Sequence, residues 1–554
     1  MNKLPYFQKG DTQGMGFSNH SDKFSEITFF GMLIFIGSFL IILILKLFQL
    51  TIVKGQYYRS LSENNRIKEF VVEPQRGEVL DRKGFVIAKN LKPNIEEGFD
   101  QSIKNNDRIV SSRIYNESEA VAPLIGYRQL ADKKDLKLDN CLFKISLGDK
   151  IGKKGVEKLF DCDLKGQSGK KLVETDAHGK FLRTINIIPP INGKNIQLAL
   201  DLELQKKAYD LLKGKKGAII ASIPKTGEIL TIASSPSFNP ENFENGSDVA
   251  KYFSDQEKPL FNRASEGVYP PGSLFKLITA TAALEEKSIT EKTEFEDKGT
   301  IKAGALSFGN WYFLQYGKTD GMVDVVKAIK RSNDIFFYLI GEKTGVDKIK
   351  KWSEIFGLGK KTNIGIDEVE GLIPSVFWKE ATLHDRWYTG DTYNLSIGQG
   401  YLGTTPLQMN MVTSVFANNG YYCKPLLQKV NSSKNQAADE KVSCHKLPVS
   451  QKTLDLIREG MKQACSTGGT GWPLFDFKVN STRFKNGEIQ TACKTGTAES
   501  HAKSGMPHAW ISVYAPYENP EIVITVLIEE GGQGSDVAGP IAKELLKTYF
   551  ERNQ

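Results

Sequence analysis

Tyr269-Pro-Pro-Gly-Ser-Leu-Phe-Lys276 leads directly into the apolar run Leu277-Ile-Thr-Ala-Thr-Ala-Ala-Leu284. Two prolines and a glycine break any preceding regular structure, so the pattern predicts an abrupt helix start with Ser273 in its first turn. A serine hydroxyl is a poor nucleophile and needs a base within hydrogen-bond reach. Residues three apart on a helix share a face, which sets Lys276 beside Ser273. First-turn N–H groups are unpaired and the helix dipole is positive there, and both favour a developing oxyanion.

Spacing alone does not single out this pair. S-x-x-K also occurs at Ser168–Lys171, Ser222–Lys225 and Ser500–Lys503. The first and last of these lie in Gly/Lys-rich or polar loops, and Ser222–Lys225 straddles a strand and a proline turn. K-T-G occurs at Lys225, Lys343 and Lys494. The first is a hairpin turn and the second ends in Gly345, a helix cap. Only Lys494-Thr495-Gly496 follows a strand-like stretch, Glu488-Ile-Gln-Thr-Ala-Cys493, where alternate side chains face a cleft. Between the favoured pair lies Arg331-Ser332-Asn333-Asp334, flanked by apolar helix-like segments. Standing alone, it reads as a helix-capping serine.

Outward from these motifs, 554 residues suggest several domains. Hydrophobic residues at 40% and charged residues at 25% exclude wholesale disorder and a multi-spanning transporter. The net charge of +8 is not clustered as a nucleic-acid face requires, so no nucleic-acid partner is expected. Six cysteines without a CxxC pair exclude a disulfide-built scaffold and a zinc ribbon.

Ile27 to Leu45 carries no charge and no polar stripe at helical spacing. At about 1.5 Å per residue it spans a bilayer core, and Lys46-Leu47-Phe48-Gln49 follows it in place of a signal-peptidase site. A membrane anchor is expected over 27–47, with a short tail at 1–26. Lys9 and Lys23 before it, against Lys46, Lys54 and Arg59 after it, do not settle orientation. Residues 48–194 are polar and Lys-rich with short strand-like pieces (Phe70-Val-Val72, Phe85-Val-Ile87), which suggests an extended pedestal. From Asn195 the pattern becomes that of a mixed α/β domain, 195–554, with an antiparallel sheet flanked by helices. Asp201 caps a helix bearing Leu204, Ala208 and Leu211, and strands follow at Gly217–Ile223 and Glu228–Ala233. Thr405-Pro406 and Ser450 start two more helices, 509–514 and 522–528 form strands, and a helix with Ile541, Leu545 and Tyr549 closes the chain. Gln428 to Lys446 reads as a surface loop.

In order and spacing, Ser273–Lys276, Ser332–Asp334 and Lys494-Thr495-Gly496 resemble the motif set of penicillin-binding proteins and serine β-lactamases. The middle motif ends in Asp334 where many members have asparagine. The likeness extends along the chain to the elongation-type class B penicillin-binding proteins. Arg76-Gly-Glu-Val-Leu-Asp-Arg-Lys-Gly84, Gly155-Val-Glu-Lys158 and Asp176-Ala-His-Gly179 resemble the family's pedestal elements. Arg386-Trp-Tyr-Thr-Gly-Asp-Thr392 and Ser396-Ile-Gly-Gln-Gly400 resemble stretches typical of the elongation type.

The resemblance implies the penicillin-binding transpeptidase fold and a D,D-transpeptidase that cross-links peptidoglycan stem peptides outside the cytoplasmic membrane. It implies Ser273 as nucleophile, Lys276 as its base, Ser332 as proton relay and Asp334 as holder of the network. Lys494, Thr495, Gly496 and Thr497 would bind the substrate carboxylate, and the N–H groups of Ser273 and Thr497 would form the oxyanion hole. β-Lactams are the expected inhibitors, and a SEDS-family glycan polymerase and other elongation-complex proteins the expected partners. No cofactor is expected. Some elongation-type members carry zinc between the first two motifs, but residues 277–331 have no Cys or His, so no metal site is expected. Glu499 receives no role. The alternatives within reach of the motifs are a division-type transpeptidase, a D,D-carboxypeptidase, a β-lactam sensor and an idle scaffold.

His178, His384, His445, His501 and His508 show no metal-ligand spacing and are read as surface or packing residues. Cys423 and Cys444 either close the polar loop as a disulfide or remain free, and Cys493 reads as a buried strand residue.

Overall fold

The computed structural model describes residues 26–91, 108–109, 112–176, 181–430, 442–500 and 504–552. His178, His501, Lys503, the expected tail before residue 26 and most of the polar stretch 428–446 lie outside these. Two compact units divide the chain, Met1–Phe70 with Lys170–Ile188, and Val71–Gly169 with Pro189–Gln554. The composition change at 195 is therefore not a change of compactness, because residues 71–169 belong with the C-terminal body.

In the first unit, helix α1 (Glu26–Phe48) contains the apolar run and has its side chains exposed nearly all round. The apolar span extends through a π-helical turn, Gln49–Val53. A second helix, Gly55–Arg66, leads to the strand Ile67–Val72, which joins the hairpin of Gly169–Thr175 and Phe181–Ile188. Lys171 pairs with Ile187 in that hairpin, so Ser168–Lys171 is not the loop expected.

In the second unit, Arg76 and Glu157, drawn from two of the pedestal elements quoted above, meet in the interior. Arg76 Nε donates to Glu157 Oε2 at 2.7 Å, and the Arg113 guanidinium donates to the other carboxylate oxygen. Burial alone would raise this carboxyl's pKa, but the Arg113 and Arg76 charges override it and hold it at about 2.

The C-terminal part is built on one antiparallel sheet. Asp201 accepts from Leu204 N and caps α2 (Leu202–Leu212), which leads to β1 (Gly217–Ser222) and β2 (Ile229–Ser235). Helices α3 (Lys276–Glu285), α4 (Val325–Arg331), α5 (Asp334–Thr344), α6 (Pro406–Ala417) and α7 (Gln451–Ala464) follow. Strands β3 (Ala492–Ala498), β4 (His508–Ala515) and β5 (Ile522–Ile528) and helix α8 (Gly539–Glu551) complete it. The strand order β2-β1-β5-β4-β3 leaves β3 at an edge. One sheet face, with Ile219, Ile511, Val513 and Ile524, packs on α2 and α8. Trp510, Tyr514, Val523 and Leu527 face the opposite cluster containing α3, α5 and α7. Burial on both faces explains why 522–528 is apolar apart from Thr525, whose buried hydroxyl accepts from Asn410 Nδ2.

Two expectations shift. Glu488 to Gln490 are drawn away from the sheet, since Ile489 N donates to Phe477 O. The strand begins instead at Ala492, opposite Tyr514, and the K-T-G triplet lies within it rather than after it. Ser273 sits in a 3-10 turn, Gly272–Leu274, immediately before α3 rather than in its first α-turn.

Six cysteines form three disulfides, Cys141–Cys162, Cys423–Cys444 and Cys465–Cys493. Cys493 is thus more than a buried strand residue, because its bridge ties the end of α7 to the start of β3, one residue before Lys494. Denatured without reductant, the protein should bind no iodoacetamide, and after reduction six equivalents. Replacing Cys465 and Cys493 by alanine should cost about 3–4 kcal/mol of unfolding free energy, read by denaturant titration.

Candidate active site

The Ser273 turn is clamped between two segments distant in sequence. Gly272 N donates to Gly398 O at 2.9 Å, with Gly398 in the left-handed region at φ +79°. A side chain on Gly398 would lie 2.1 Å from Gly272 O. On the other side the turn packs on β3, where a Cβ on Gly496 would lie 2.7 Å from Leu274 Cδ1 and 3.2 Å from Pro271 O. The K-T-G glycine is therefore the residue that lets the serine turn lie on the strand. Ser273 is left half-buried at this junction.

Lys276 and Lys494 are both fully buried and converge on one hydroxyl. Lys276 Nζ donates to Asp334 Oδ1 at 2.6 Å, to Ser332 O at 2.8 Å and to Ser332 Oγ at 3.3 Å. Lys494 Nζ donates to Ser332 Oγ at 2.8 Å and to Thr495 O at 3.0 Å. Burial pushes Lys276 below the ordinary lysine pKa, against the pull of the Asp334 carboxylate. Lys494 is pushed well below it, by burial and then by the charge of Lys276. With a single carboxylate beside two amines, the site favours one ammonium, held by Asp334, and one neutral amine.

Ser332 caps α4 in the left-handed conformation, φ +53°, which a non-glycine residue rarely adopts. This tight reversal presents both its hydroxyl and its carbonyl to Lys276. Asn333 then caps α5 through Phe336 N. The carboxylate of Asp334 also accepts from Trp311 N at 2.9 Å, and its own N–H donates to Asn310 Oδ1. Behind them, the buried Asp297 accepts from Asn310 Nδ2 at 2.7 Å and from Asn333 Nδ2 at 2.9 Å. Asp320 accepts from Asn333 Nδ2 and Arg331 Nε. Amide and guanidinium donors thus fix these two acids behind the Ser332 reversal.

Along β3, Thr495 Oγ1 donates to Thr470 Oγ1 at 2.7 Å, while Thr497 is exposed and its Oγ1 accepts from Gly534 N. The carbonyls of Thr495 and Thr497 leave the sheet on its free edge, toward Lys494 Nζ and Gln399 Nε2 respectively. In a strand the N–H of a residue points to the same side as its C=O, so the Thr497 N–H also faces the cleft.

All three motifs therefore meet. Lys276, Ser332, Asp334 and Lys494 form one hydrogen-bonded cluster, with Ser273 on a turn against the strand that carries Lys494, Thr495, Gly496 and Thr497. The other S-x-x-K and K-T-G occurrences within the described residues lie elsewhere. Gly345 is the helix cap expected, at φ +84°, and Lys225 lies in the hairpin between β1 and β2. His508 packs edge-on against Tyr269, with its Nδ1 accepting from Glu530 N. Asp297, Asn310, Trp311, Gln399 and Thr470 were not singled out from sequence. Only Gln399 carried a signal there, as part of the Ser396–Gly400 stretch.

The penicillin binding protein transpeptidase domain model matches residues 217–547, and the penicillin-binding protein dimerisation domain model matches 101–198. A curated relative, the peptidoglycan D,D-transpeptidase MrdA of Salmonella typhimurium, is 30% identical over 92% of this chain and 93% of its own length. Among solved structures, Pseudomonas aeruginosa PBP2 in complex with WCK 5153 is 30% identical with TM-score 0.72, covering 87% of this chain and 96% of that one. The complex between PBP2 and MreC from Helicobacter pylori gives 28% and 0.71, covering 87% and 98%. A structure of a peptidoglycan synthase complex that coordinates polymerization and crosslinking gives 27% and 0.71, covering 94% and 98%. With its motifs in one cleft and these likenesses over nearly its whole length, the chain belongs to the penicillin-binding protein 2 family, the elongation-type peptidoglycan D,D-transpeptidases.

Proposed function

We propose that Ser273 is the nucleophile of this transpeptidase and attacks the carbonyl between the two terminal D-alanines of a stem peptide. The observation that carries the proposal is the convergence of Lys276 and Lys494 on Ser332 Oγ beside the Ser273 turn. Neutral Lys276 takes the Ser273 proton. It reaches that state by losing its own proton as pH rises, since burial weakens its hold on that proton, and Ser332 Oγ lies within reach of both amines. The N–H groups of Ser273 and Thr497 receive the oxyanion, a contribution of about a hundredfold or more per donor. Collapse of the intermediate breaks the C–N bond, and Ser332 delivers a proton to the departing D-alanine amine. An amine of a neighbouring stem then attacks the ester, and its proton returns by the same route as Ser273 is released.

Lys494 and the exposed Thr497 hydroxyl take the substrate's terminal carboxylate, with Thr495 oriented by Thr470. Asp334 positions Lys276 and is itself held from behind by Asn310 and Trp311. β-Lactams acylate Ser273 by the same chemistry.

Helix α1 anchors the protein in the cytoplasmic membrane with the catalytic body outside it. Charge is silent on orientation, but three disulfides favour an oxidising compartment. A relative solved with MreC, and another in a complex that couples polymerization to crosslinking, support a glycan polymerase of the SEDS type and other elongation-complex proteins as partners.

Fluorescent penicillin should label the parent protein covalently and leave Ser273→Ala unlabelled. With a donor pentapeptide and an acceptor amine, the parent should release D-alanine and form the cross-linked dimer. Release without cross-link would make it a carboxypeptidase, and no label in the parent would make it a scaffold.

The acylation rate should climb with pH as the base loses its proton and level off below the ordinary lysine value of 10.5. The Asp334 carboxylate holds that proton on, so Asp334→Asn should lower the plateau and move the rising limb to lower pH, seen in stopped-flow acylation. A limb that stays in place or moves up would remove Lys276 from the role of base.

A further inference from the structure

Gln399 is half-buried between the nucleophile turn and the free edge of β3. Its Nε2 donates to Thr497 O at 3.3 Å and its Oε1 accepts from Glu499 N at 3.2 Å. In a parallel ladder, a residue facing Ala498 donates its N–H to the carbonyl before Ala498 and accepts from the N–H after it. One side-chain amide thus reproduces both bonds of a missing parallel strand residue. Its backbone is fixed too, because Gln399 N donates to Asn394 O at 2.8 Å at the end of the helix Thr389–Ser396. The adjoining Gly398 carbonyl accepts from Gly272 N, immediately before Ser273. Two consecutive residues therefore grip both strips of backbone expected to donate to the oxyanion, the Ser273 turn through the main chain of Gly398 and the Thr497 edge through the side chain of Gln399.

We propose that Gln399 is a positioning residue for the acyl-transfer step, a surrogate strand whose amide holds the Thr495–Glu499 edge in register with the Ser273 turn. Edge strands fray because one side of their ladder lacks partners. On this edge Lys494 Nζ occupies Thr495 O, and Gln399 occupies Thr497 O and Glu499 N. The Thr497 N–H then remains aimed into the cleft at a fixed distance from the serine turn. The backbone bond to Glu499 also gives that residue its place, as the end of the clamped edge. The role acts on the transition state, where the oxyanion forms, more than on the initial encounter with substrate. It rests on the function proposed above.

The test is stopped-flow acylation of the full chain by a fluorescent penicillin, separating the encounter dissociation constant from the acylation rate constant, for the parent, Gln399→Ala and Gln399→Glu. Alanine removes both bonds. Glutamate keeps the size and the acceptor for Glu499 N but sets a carboxylate against the Thr497 carbonyl. Both variants should lose about ten- to a hundredfold in the rate constant while the encounter constant stays within about threefold, a split expected for a misaligned oxyanion donor. Thermal unfolding reports folding, and if the alanine variant does not fold, the isosteric glutamate variant decides. Rate constants within about threefold of the parent, or a loss carried entirely by weaker encounter, would overturn the role of Gln399 while leaving Ser273 as nucleophile. A parent that is not acylated would instead overturn the proposed function.

Discussion

Two amines and one carboxylate share a water-poor space around a single serine hydroxyl, and the rest of the catalytic body holds them there. Burying two lysines is costly, and in most proteins one would be replaced or exposed. Here the expense is offset by Asp334 and by the carbonyls of Ser332 and Thr495. The consequence is electrostatic, since burial lowers the hold of both amines on their protons and the charge of Lys276 lowers that of Lys494 further.

The scaffold around this cluster is a set of close backbone approaches. Gly496 lets the Ser273 turn lie on β3, and Gly398 lets a third segment press on the same turn. The disulfide Cys465–Cys493 secures β3 at its start and Gln399 bonds its free edge near the end. A second layer, Asp297 with Asn310, Asn333 and Asp320, fixes the reversal at Ser332 from behind. These contacts join residues from 13 to more than 200 apart in the chain, which is why the cleft exists only in the folded chain.

Local chemistry was legible in advance where it depends on near neighbours. The caps at Asp201, Thr405 and Ser450 each accept the backbone bond that their residue type implies. The strands 217–222, 229–235, 508–515 and 522–528 follow from apolar runs bounded by turn residues. The errors came where distant partners overrode local pattern. Glu488 to Cys493 has strand-like residues, yet pairing with β4 begins only at Ala492. Lys171 sits in a Gly- and Lys-rich stretch, yet its hairpin partner draws it into a strand.

By themselves, the residues determined that a serine with a lysine one turn on, a middle serine with an aspartate and a K-T-G triplet were all present, that one segment was apolar enough to cross a membrane, and that the body was mixed α/β. Those properties follow from composition and short-range periodicity, which a linear chain displays directly. Only the tertiary structure decided that the favoured S-x-x-K and K-T-G occurrences share one hydrogen-bonded cluster with Ser332, which cysteines pair, and that Asn310, Trp311, Thr470 and Gln399 complete the cleft. Such residues act through hydrogen bonds whose partners are set by how helices and sheet pack, and no spacing along the chain encodes that distance.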